Sequence, residues 1–486
     1  MKKTFLAAAL SAALAMGTMA VPAAADDMVT VSLYIPSLAT YSEEAIAETE
    51  EVMNEYLAEN YGIQVDLQYI EIGNFEQSIN LAMTTDELDV TCYFNEFGKL
   101  ANYADNGQLL DITDYFNNAS DEFKNTFTDA EIAASSVDGR MYGVVRKYQY
   151  GGKEVVVMNK DIVEEMGIDP KSITDMDSLE KVLYEVHEKY PDIWTLVPQS
   201  SSDMTWAQAW GKAVGGASFL YTDTPQDTEL KSVFEAKGFQ DFCSYTNKWY
   251  NDGLVMSDAI SNTMEGSDLV GAGTAFACFH NADIDPLESL YPNTVTSGDI
   301  LPPGAQATDI GNLQYGISTN SAHPDEAFKL LEAIYTDEEL IATLMYGVEG
   351  KHWVYNEEGR AALPDGVTAE NAPYGGFVAS ATYPNYLLAP LKDSAVVDDY
   401  KKSVDEWNES VTVPPYFGWA FDTTKYADFV TAYANMEEKY FDAVATGSVP
   451  LDDVLPNIKS ELESIGFYEI VEEAQKELDA FLAEKQ

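Results

Sequence analysis

The residue patterns that support common catalytic chemistry are missing from this sequence. It contains no G-x-x-x-x-G-K-[ST], no G-x-S-x-G and no H-E-x-x-H, so the minimal parts of an NTPase, an α/β-hydrolase and a zincin are absent. The stretch 281–285 begins like a calcium loop, but Pro286 stands where that loop requires glycine. We expect no metal and no cofactor, since the four histidines also lack a metal-ligand spacing: His187, His280, His323 and His352.

Aromatic residues beside Gly, Pro or Asn are the pattern that does stand out. Phe, Trp and Tyr make up 12% of the chain. A flat ring matches the apolar C–H face of a pyranose, and Asn, Asp or Arg side chains match its hydroxyl rim. The alternative for each aromatic residue is ordinary core packing. The predicted ligand-binding residues are Tyr34, Ser37, Tyr93, Asn95, Arg146, Tyr148, Tyr150, Trp206, Trp210, His280, Trp353 and Trp419.

The positions of several of these residues follow from the predicted strands. Residues 34–37 follow the first strand and residues 93–95 follow the third, and open α/β sheets bind ligands beyond the carboxyl ends of their strands. His280 leaves a later strand. Trp206 and Trp210 are four residues apart, which places them on one face of a predicted helix. A core stripe is the alternative for that pair.

Two further loops have more specific expected roles. Residues 417–419, Phe-Gly-Trp, follow two prolines and predict a rigid platform on which a ring could stack. Arg146 and Lys147 form a rare basic pair in a chain with 27 Lys and Arg against 82 Asp and Glu. The pair either forms salt bridges or aims a guanidinium at ring hydroxyls or at a ligand carboxylate such as a uronic acid.

The elements that position these residues alternate between strand and helix. Strands are predicted at 29–35, 64–70 and 89–94, with helices at 43–59 and 75–83 between them. Such alternation is typical of a parallel, doubly wound α/β sheet.

The alternation of strands and helices begins again near residue 153, which predicts a second α/β lobe. Beyond 350 the chain is predicted to be mainly helical, ending in helices at 426–445 and 451–482. No Gly/Ser linker separates the lobes, so we expect an interleaved pair joined by a hinge. The predicted units are 28–147 plus 296–348 for lobe 1, and 151–293 plus 350–486 for lobe 2.

Residues 314–355 carry the clearest local pattern. A short strand at 315–318 leads to Pro324, which suits the first position of a helix. Thr336 and Glu339 have the spacing of a capping box for a second helix, which Gly347 is predicted to end.

The N-terminal 25 residues resemble a cleavable secretion signal, with Lys2 and Lys3 before an Ala-rich apolar run and cleavage expected after Ala25. Export is therefore expected, to a periplasm or the cell surface, and no lipobox cysteine accompanies the cleavage site. A formal net charge of −55 argues against nucleic acid and anionic membranes as partners. The three cysteines, Cys92, Cys243 and Cys278, are expected to be small buried residues, with one disulfide as the alternative.

Several segments resemble a known family. N-S-x-x-P-D-E-A-x-K-L-L at 320–331 and Y-G-x-E-G-K-H at 346–352 resemble blocks of bacterial extracellular solute-binding proteins of family 1. Residues 69–81 are similar to that family's I-D-W-G-(D/N)-Y-x-Q-K-M-N-L. Residues 451–466 are similar to the branch with the uncharacterised C-terminal domain DUF3502. The sequence departs from the family at 145–147, Val-Arg-Lys, where Pro-Thr/Ala-Asn is usual.

The resemblance implies a two-lobed periplasmic-binding-protein-like type II fold that closes on a small ligand at a hinge. It implies a receptor for an ABC importer, with permease subunits as partners, no cofactor, no catalysis and a monomeric state. A carbohydrate, and more specifically an oligosaccharide, is the expected ligand. The alternatives are a peptide or amino-acid-like ligand, a secreted carbohydrate-active enzyme, whose acid pair could hide among 82 carboxylates, and a surface adhesin.

Overall fold

The structure is a computed structural model that describes residues 28–95, 99–150, 153–199, 213–224, 226–282, 291, 293–298, 300, 310–369, 371–393, 400–410 and 414–484. The predicted signal segment lies outside these residues. Two sheets of four or five strands, each with its own hydrophobic core, organise the described part of the chain.

The strands are numbered in chain order. They are β1 (Val29–Ser37), β2 (Ile63–Glu71), β3 (Val90–Phe94), β4 (Ser136–Val137), β5 (Arg140–Met141), β6 (Val144–Val145), β7 (Lys153–Asn159), β8 (Trp194–Val197), β9 (Ala275–Ala282), β10 (Thr294–Thr296), β11 (Leu313–Ile317), β12 (Val354–Tyr355) and β13 (Ala361–Ala362).

The α-helices are numbered in the same way. They are α1 (Glu43–Asn60), α2 (Ile72–Ala82), α3 (Lys99–Asp105), α4 (Thr113–Asn118), α5 (Asp121–Asn125), α6 (Asp129–Ala134), α7 (Lys160–Met166), α8 (Met176–Lys189), α9 (Lys237–Asn251), α10 (Gly266–Gly271), α11 (Pro324–Thr336), α12 (Glu338–Tyr346), α13 (Tyr400–Ser410), α14 (Ala427–Ala445), α15 (Leu451–Ser464) and α16 (Phe467–Glu484).

The first sheet has the strand order β2-β1-β3-β11-β6. β1 runs parallel to β2 and β3, as the alternation of strands and helices predicts. β11 runs antiparallel to β3 and to β6, which corrects the prediction of a parallel sheet. The reason is the route of the chain, because β6 leaves this sheet for the second lobe and β11 returns from it. β11 therefore enters at the edge where the other strands end.

The second sheet has the order β10-β7-β9-β8. β7 is antiparallel to β9, with Lys153 opposite Ala282, and β9 is parallel to β8. The start of β7 and the ends of β8 and β9 thus share one edge. Only seven residues separate Val145 from Lys153, so this edge adjoins the edge of the first sheet where β6 ends.

The boundaries between the two lobes, as the hydrophobic cores define them, differ from the boundaries predicted from the sequence. The first core takes its buried residues from 31–150 and 310–407, and the second from 155–300 and 416–478. The chain therefore crosses between the cores three times. Residues 350–407 were expected to be mainly helical and part of lobe 2, but most of them form turns and short strands on the first core.

The predicted motif around Pro324 is present, with one correction. α11 begins at Pro324, and acidic residues occupy its first turn. The N-cap of α12 is Asp337, not Thr336, and its Oδ1 accepts from the N–H groups of Glu339 and Leu340 at 3.1 and 3.0 Å. One residue separates the two helices, so Thr336 is still helical and its hydroxyl bonds to the preceding turn.

Candidate ligand-binding cleft

The edge that the first sheet presents to the second lobe is formed by the ends of β1, β2, β3 and β6. Ser37 and Asn95 lie there, half-exposed, at the ends of β1 and β3. The hydroxyl of Ser37 donates to the carbonyl of Ala39 at 2.5 Å, and Oδ1 of Asn95 accepts from the N–H of Leu100 at 2.7 Å. Local turns thus hold both residues at the edge where open sheets bind ligands.

Two predicted site tyrosines lie inside strands and not after them. Tyr93 has no exposed surface, and its hydroxyl donates to Oε1 of Gln314 at 2.8 Å. Tyr34 is half-buried, and burial together with the carboxylates of Glu87 and Asp66 raises the pKa of its hydroxyl. Because Glu87 precedes β3, Tyr34 points away from the edge where β3 ends. Both side chains pack within the first lobe, which corrects their expected placement in loops.

The basic pair is divided between two environments. Nζ of Lys147 lies 2.6 Å from the carboxylate of Glu131, whose side chain has no exposed surface. Lys147 therefore forms the expected salt bridge. The guanidinium of Arg146 instead donates to the carbonyl of Ala381 and lies 4.4 Å from the centroid of the Tyr148 ring. A partly exposed guanidinium is thus held against an aromatic ring at the edge of the sheet.

Side chains of α13 tie the first crossing to the third. Asn408 accepts the N–H of Tyr150 at 2.8 Å and donates to the carbonyl of Tyr148 at 3.2 Å. Nε1 of Trp407 donates to the carbonyl of the buried Tyr150 at 2.7 Å. The amide of Asn408 pairs with this extended segment as a neighbouring strand would. Tyr148 stays half-exposed, edge-on to Tyr386 at 5.2 Å.

Four tyrosines that the sequence analysis did not single out, Tyr41, Tyr69, Tyr374 and Tyr383, form a hydroxyl-linked cluster, called here the tyrosine group. The rings of Tyr41 and Tyr69 stack at 4.4 Å, and hydroxyl pairs join Tyr41 to Tyr383 at 2.9 Å and Tyr69 to Tyr374 at 2.5 Å. Burial raises the pKa of Tyr69 to about 12. Tyr41 follows β1 in a loop. An aromatic residue directly after a strand was the sequence feature from which this tyrosine could have been predicted as a candidate.

Trp353 has a packing role in the first lobe. It is buried, and its Nε1 donates to the carbonyl of Gly347 at 3.0 Å. The neighbouring His352 accepts the N–H of Val348 on Nδ1 at 3.0 Å, and its ring lies parallel to that of Tyr374 at 5.7 Å. Together these side chains close the turn that follows α12, which is the packing alternative for Trp353.

The second lobe presents the ends of β8 and β9 to the same junction. His280 is half-buried near the end of β9, and its Nδ1 donates to the carbonyl of Asn281 at 2.6 Å. Its ring meets Tyr291 edge-on at 5.6 Å. The predicted pair Trp206 and Trp210 lies outside the described residues.

The loop at 417–419 bridges the two cores. Phe417 packs against the first core, whereas Trp419 packs against the second, and both side chains are partly exposed. The exposed Gly418 between them has a φ of 82°, a conformation that favours glycine. The predicted platform therefore lies where the lobes meet.

These edges place aromatic rings and hydrogen-bonding side chains at the junction of the two lobes. The first lobe contributes Arg146, Tyr148 and Asn95, and the second contributes Trp419. Within the described ranges, no group of three or more His, Cys, Asp or Glu residues is arranged to hold a metal ion. Two α/β lobes, joined by three crossings and presenting aromatic and polar groups at adjoining edges, define a two-lobed ligand-binding protein.

Family comparison agrees with this class. The model of the bacterial extracellular solute-binding protein family matches residues 39–341, and the chain belongs to this family. A second model, the domain of unknown function DUF3502, matches residues 415–483. Both predicted resemblances are thereby confirmed.

Among the described helices, none has the length and apolar character needed to cross a membrane.

Individual relatives extend the likeness over most of the chain. A carbohydrate ABC transporter substrate-binding protein of Streptococcus pneumoniae is 25% identical over 452 residues, which cover 89% of this chain and 87% of that protein. The structure of the N-glycan transport solute binding protein NgtS of Streptococcus pneumoniae matches with a TM-score of 0.77 at 22% identity, covering 94% of this chain and 100% of that one. An HMO-binding solute binding protein of Bifidobacterium longum infantis matches with a TM-score of 0.64 at 17% identity, covering 94% and 100%. These structures confirm the two-lobed fold.

Proposed function

We propose that this solute-binding protein is the receptor of an ABC importer and captures an oligosaccharide between its lobes. The observation that carries the proposal is the guanidinium of Arg146, held on the Tyr148 ring at the cleft edge. A planar cation beside an aromatic face suits a sugar, because the ring stacks on the C–H face while the guanidinium donates to hydroxyls. Trp419 supplies a second ring from the other lobe.

In this proposal the protein binds and releases its ligand without making or breaking a bond. The ligand first meets one lobe, and rotation about the three crossings then brings the other lobe onto it. The contacts of Asn408 hold the first and third crossings together, so the lobes turn about a defined axis. The closed monomer then docks on the permease, which receives the sugar.

The carbohydrate ABC transporter relative supports a sugar over the peptide-like alternative, since it covers most of both chains. The resemblance of the first 25 residues to a secretion signal supports export of the receptor, with the mature protein beginning after Ala25.

A thermal-shift screen tests the ligand class. The probes are Man5GlcNAc, lacto-N-tetraose, maltohexaose and trigalacturonate, with a tripeptide mixture as the comparison. A ligand present at 100 times its Kd stabilises the native state by about 2.7 kcal/mol. We expect at least one oligosaccharide to raise the melting temperature and the peptides to have no effect; a shift by peptides alone would contradict the proposal.

Solution scattering tests closure. We expect the radius of gyration to fall when the oligosaccharide selected in the screen is added to saturation. Identical profiles with and without bound sugar would exclude hinge closure while leaving sugar binding intact.

Arg146→Lys tests the role of the guanidinium. Lysine keeps the charge but loses the planar fork, so we expect affinity to fall about tenfold. Arg140→Lys, at an exposed position in β5, is the matched control and should bind normally. Preference for trigalacturonate would indicate that Arg146 pairs with a ligand carboxylate. Normal binding by Arg146→Lys would remove this residue from the site.

A further inference from the structure

The C-terminal region that matches the domain of unknown function forms three helices, α14–α16, on the second lobe. α14 and α15 pack on α9, and Phe467 of α16 is fully buried in the second core. The lead-in to these helices is the loop at 417–419, which contacts both cores. The region is therefore continuous with the lobe junction.

The lead-in contacts a second loop, residues 213–221, through Trp419. Gly215 in that loop has a φ of 62°, and a Cβ placed on it would lie 2.4 Å from Cζ3 and 2.6 Å from Cε3 of the indole. The six-membered ring of Trp419 thus lies directly against the Cα of Gly215. The N–H of Phe421 donates to the carbonyl of Gly215 at 2.8 Å, which fixes the register of the two loops.

The same loop is held from behind by a cage of rings. Phe219 has no exposed surface, and its ring centroid lies 4.8 Å from Phe429, 5.9 Å from Tyr433 and 6.4 Å from Phe421. All three cage residues belong to the C-terminal region. Within the loop, the N–H of Val214 donates to the carbonyl of Leu220 at 2.7 Å, so the loop is closed on itself.

Trp419, which contacts this loop, lies near the junction of the two lobes. Phe417, only two residues before Trp419, packs on the first core. Trp419 is partly exposed at this junction.

We propose that the C-terminal helices are the positioning element of the second lobe's ligand wall: they hold loop 213–221 so that the six-membered ring of Trp419 lies against Gly215 and the exposed part of this side chain contacts a sugar ring. This gives the domain of unknown function a role in ligand selection. The inference rests on the proposed capture of an oligosaccharide. Trp419 is the contacting residue, whereas Gly215 acts through it and is a positioning residue.

Gly215→Ala and Gly167→Ala form a matched pair that tests this role. Both glycines have a left-handed backbone, with φ values of 62° and 65°, but a Cβ at Gly167 meets nothing within 4 Å. Gly167→Ala should lose a few degrees of melting temperature because alanine is strained there, and Gly215→Ala should lose at least as much because its Cβ also meets the indole. Gly215→Ala alone should also push the indole away and weaken sugar binding about tenfold.

A double-mutant cycle separates displacement of the ring from general damage. Trp419→Ala should weaken binding about tenfold, and adding Gly215→Ala to it should weaken binding no further, because no ring remains to be displaced. Trp419→Phe should retain most of the affinity. The probes are the same four oligosaccharides, measured by calorimetry.

The two proposals fail in different ways. If none of the four sugars binds the unaltered protein, the proposed function is wrong, and the inference that rests on it is wrong as well. If a sugar binds and Gly215→Ala binds it as tightly as Gly167→Ala does, only the role of the C-terminal region is overturned. Additive losses in the cycle would likewise overturn it. Should Gly215→Ala fail to fold, Trp419→Ala and Trp419→Phe provide the test. If both variants bind the sugar as tightly as the unaltered protein, Trp419 is not part of a ligand-binding wall.

Discussion

In the first lobe the cleft edge is fixed by buried polar contacts, whereas in the second it is fixed by aromatic packing. Lys147 pairs with the buried Glu131 behind the first crossing, and the tyrosine group links its loops through hydroxyls. On the other side, Phe219 is held by a cage of rings. The two walls of one cleft thus depend on different kinds of interaction.

The difference matters because the two kinds of contact fail differently. A buried ion pair or hydroxyl pair is directional, and removal of one partner leaves the other desolvated and unsatisfied. Ring packing is less directional and tolerates a change of shape when volume is nearly kept. The first lobe should therefore be sensitive to isosteric changes, and the second mainly to loss of volume.

The largest effect is expected for Lys147→Ala. It leaves the carboxylate of Glu131 buried without its cation, which should cost about 3–5 kcal/mol of unfolding free energy. Lys160→Ala removes an exposed pair with Glu164 and should cost about 0.5 kcal/mol or less. Urea denaturation of both variants measures the contrast, and equal losses would remove the buried pair from the comparison.

Tyr374→Phe is expected to come next. The change deletes one hydroxyl that donates to the carbonyl of Leu344 at 2.8 Å and contacts Tyr69. Because Leu344 lies in the last turn of α12, where carbonyls lack helical partners, we expect a loss of about 1–2 kcal/mol. Tyr355→Phe, on an exposed tyrosine, is the control and should be neutral in the same denaturation experiment.

Phe219→Leu should be tolerated better, with a loss below about 1.5 kcal/mol, because the cage needs volume more than a ring. Phe219→Ala in parallel should lose about 3–5 kcal/mol and confirms that the site is buried. If leucine proves as damaging as alanine, the second lobe is as demanding as the first and the comparison fails.

The smallest effect concerns pH. Burial lowers the pKa of His352, against the opposing charge of Glu48. The unfolded chain then binds this proton at higher pH than the folded one, so the native state loses stability as pH falls below about 6.5. His352→Gln should flatten the fall in melting temperature between pH 7 and pH 5. Parallel pH profiles for the variant and the unaltered protein would contradict this.

Local patterns allowed much of the fold to be predicted. The predicted helix at 43–59 is α1, Glu43–Asn60, because its apolar spacing and acidic first turn are local signals. The single helix predicted at 451–482 is broken at Gly466, which has a φ of 81° and separates α15 from α16. Residues 350–407 were misassigned because hydroxyl bonds and turns, which have no periodicity, hold them to the first core.

The candidate site was harder to predict because composition does not separate a core ring from a binding ring. Tyr93 and Trp353 are buried, whereas Tyr148 and Trp419 are partly exposed. The residues that flank them in the sequence do not distinguish the buried pair from the exposed pair. Arg146 and Lys147 have different partners because successive side chains of an extended segment point to opposite faces. The sequence would have predicted this difference if the segment had been recognised as extended.

The cage around Phe219 has a consequence for biosynthesis. Phe429 follows Phe219 by 210 residues, so translation at about 5–20 residues per second separates them by roughly 10–40 s. During this interval the second lobe lacks the helices that complete its core, and its contacts must form over long sequence separations. The second lobe of a nascent chain can therefore complete its hydrophobic core only after α14 has emerged.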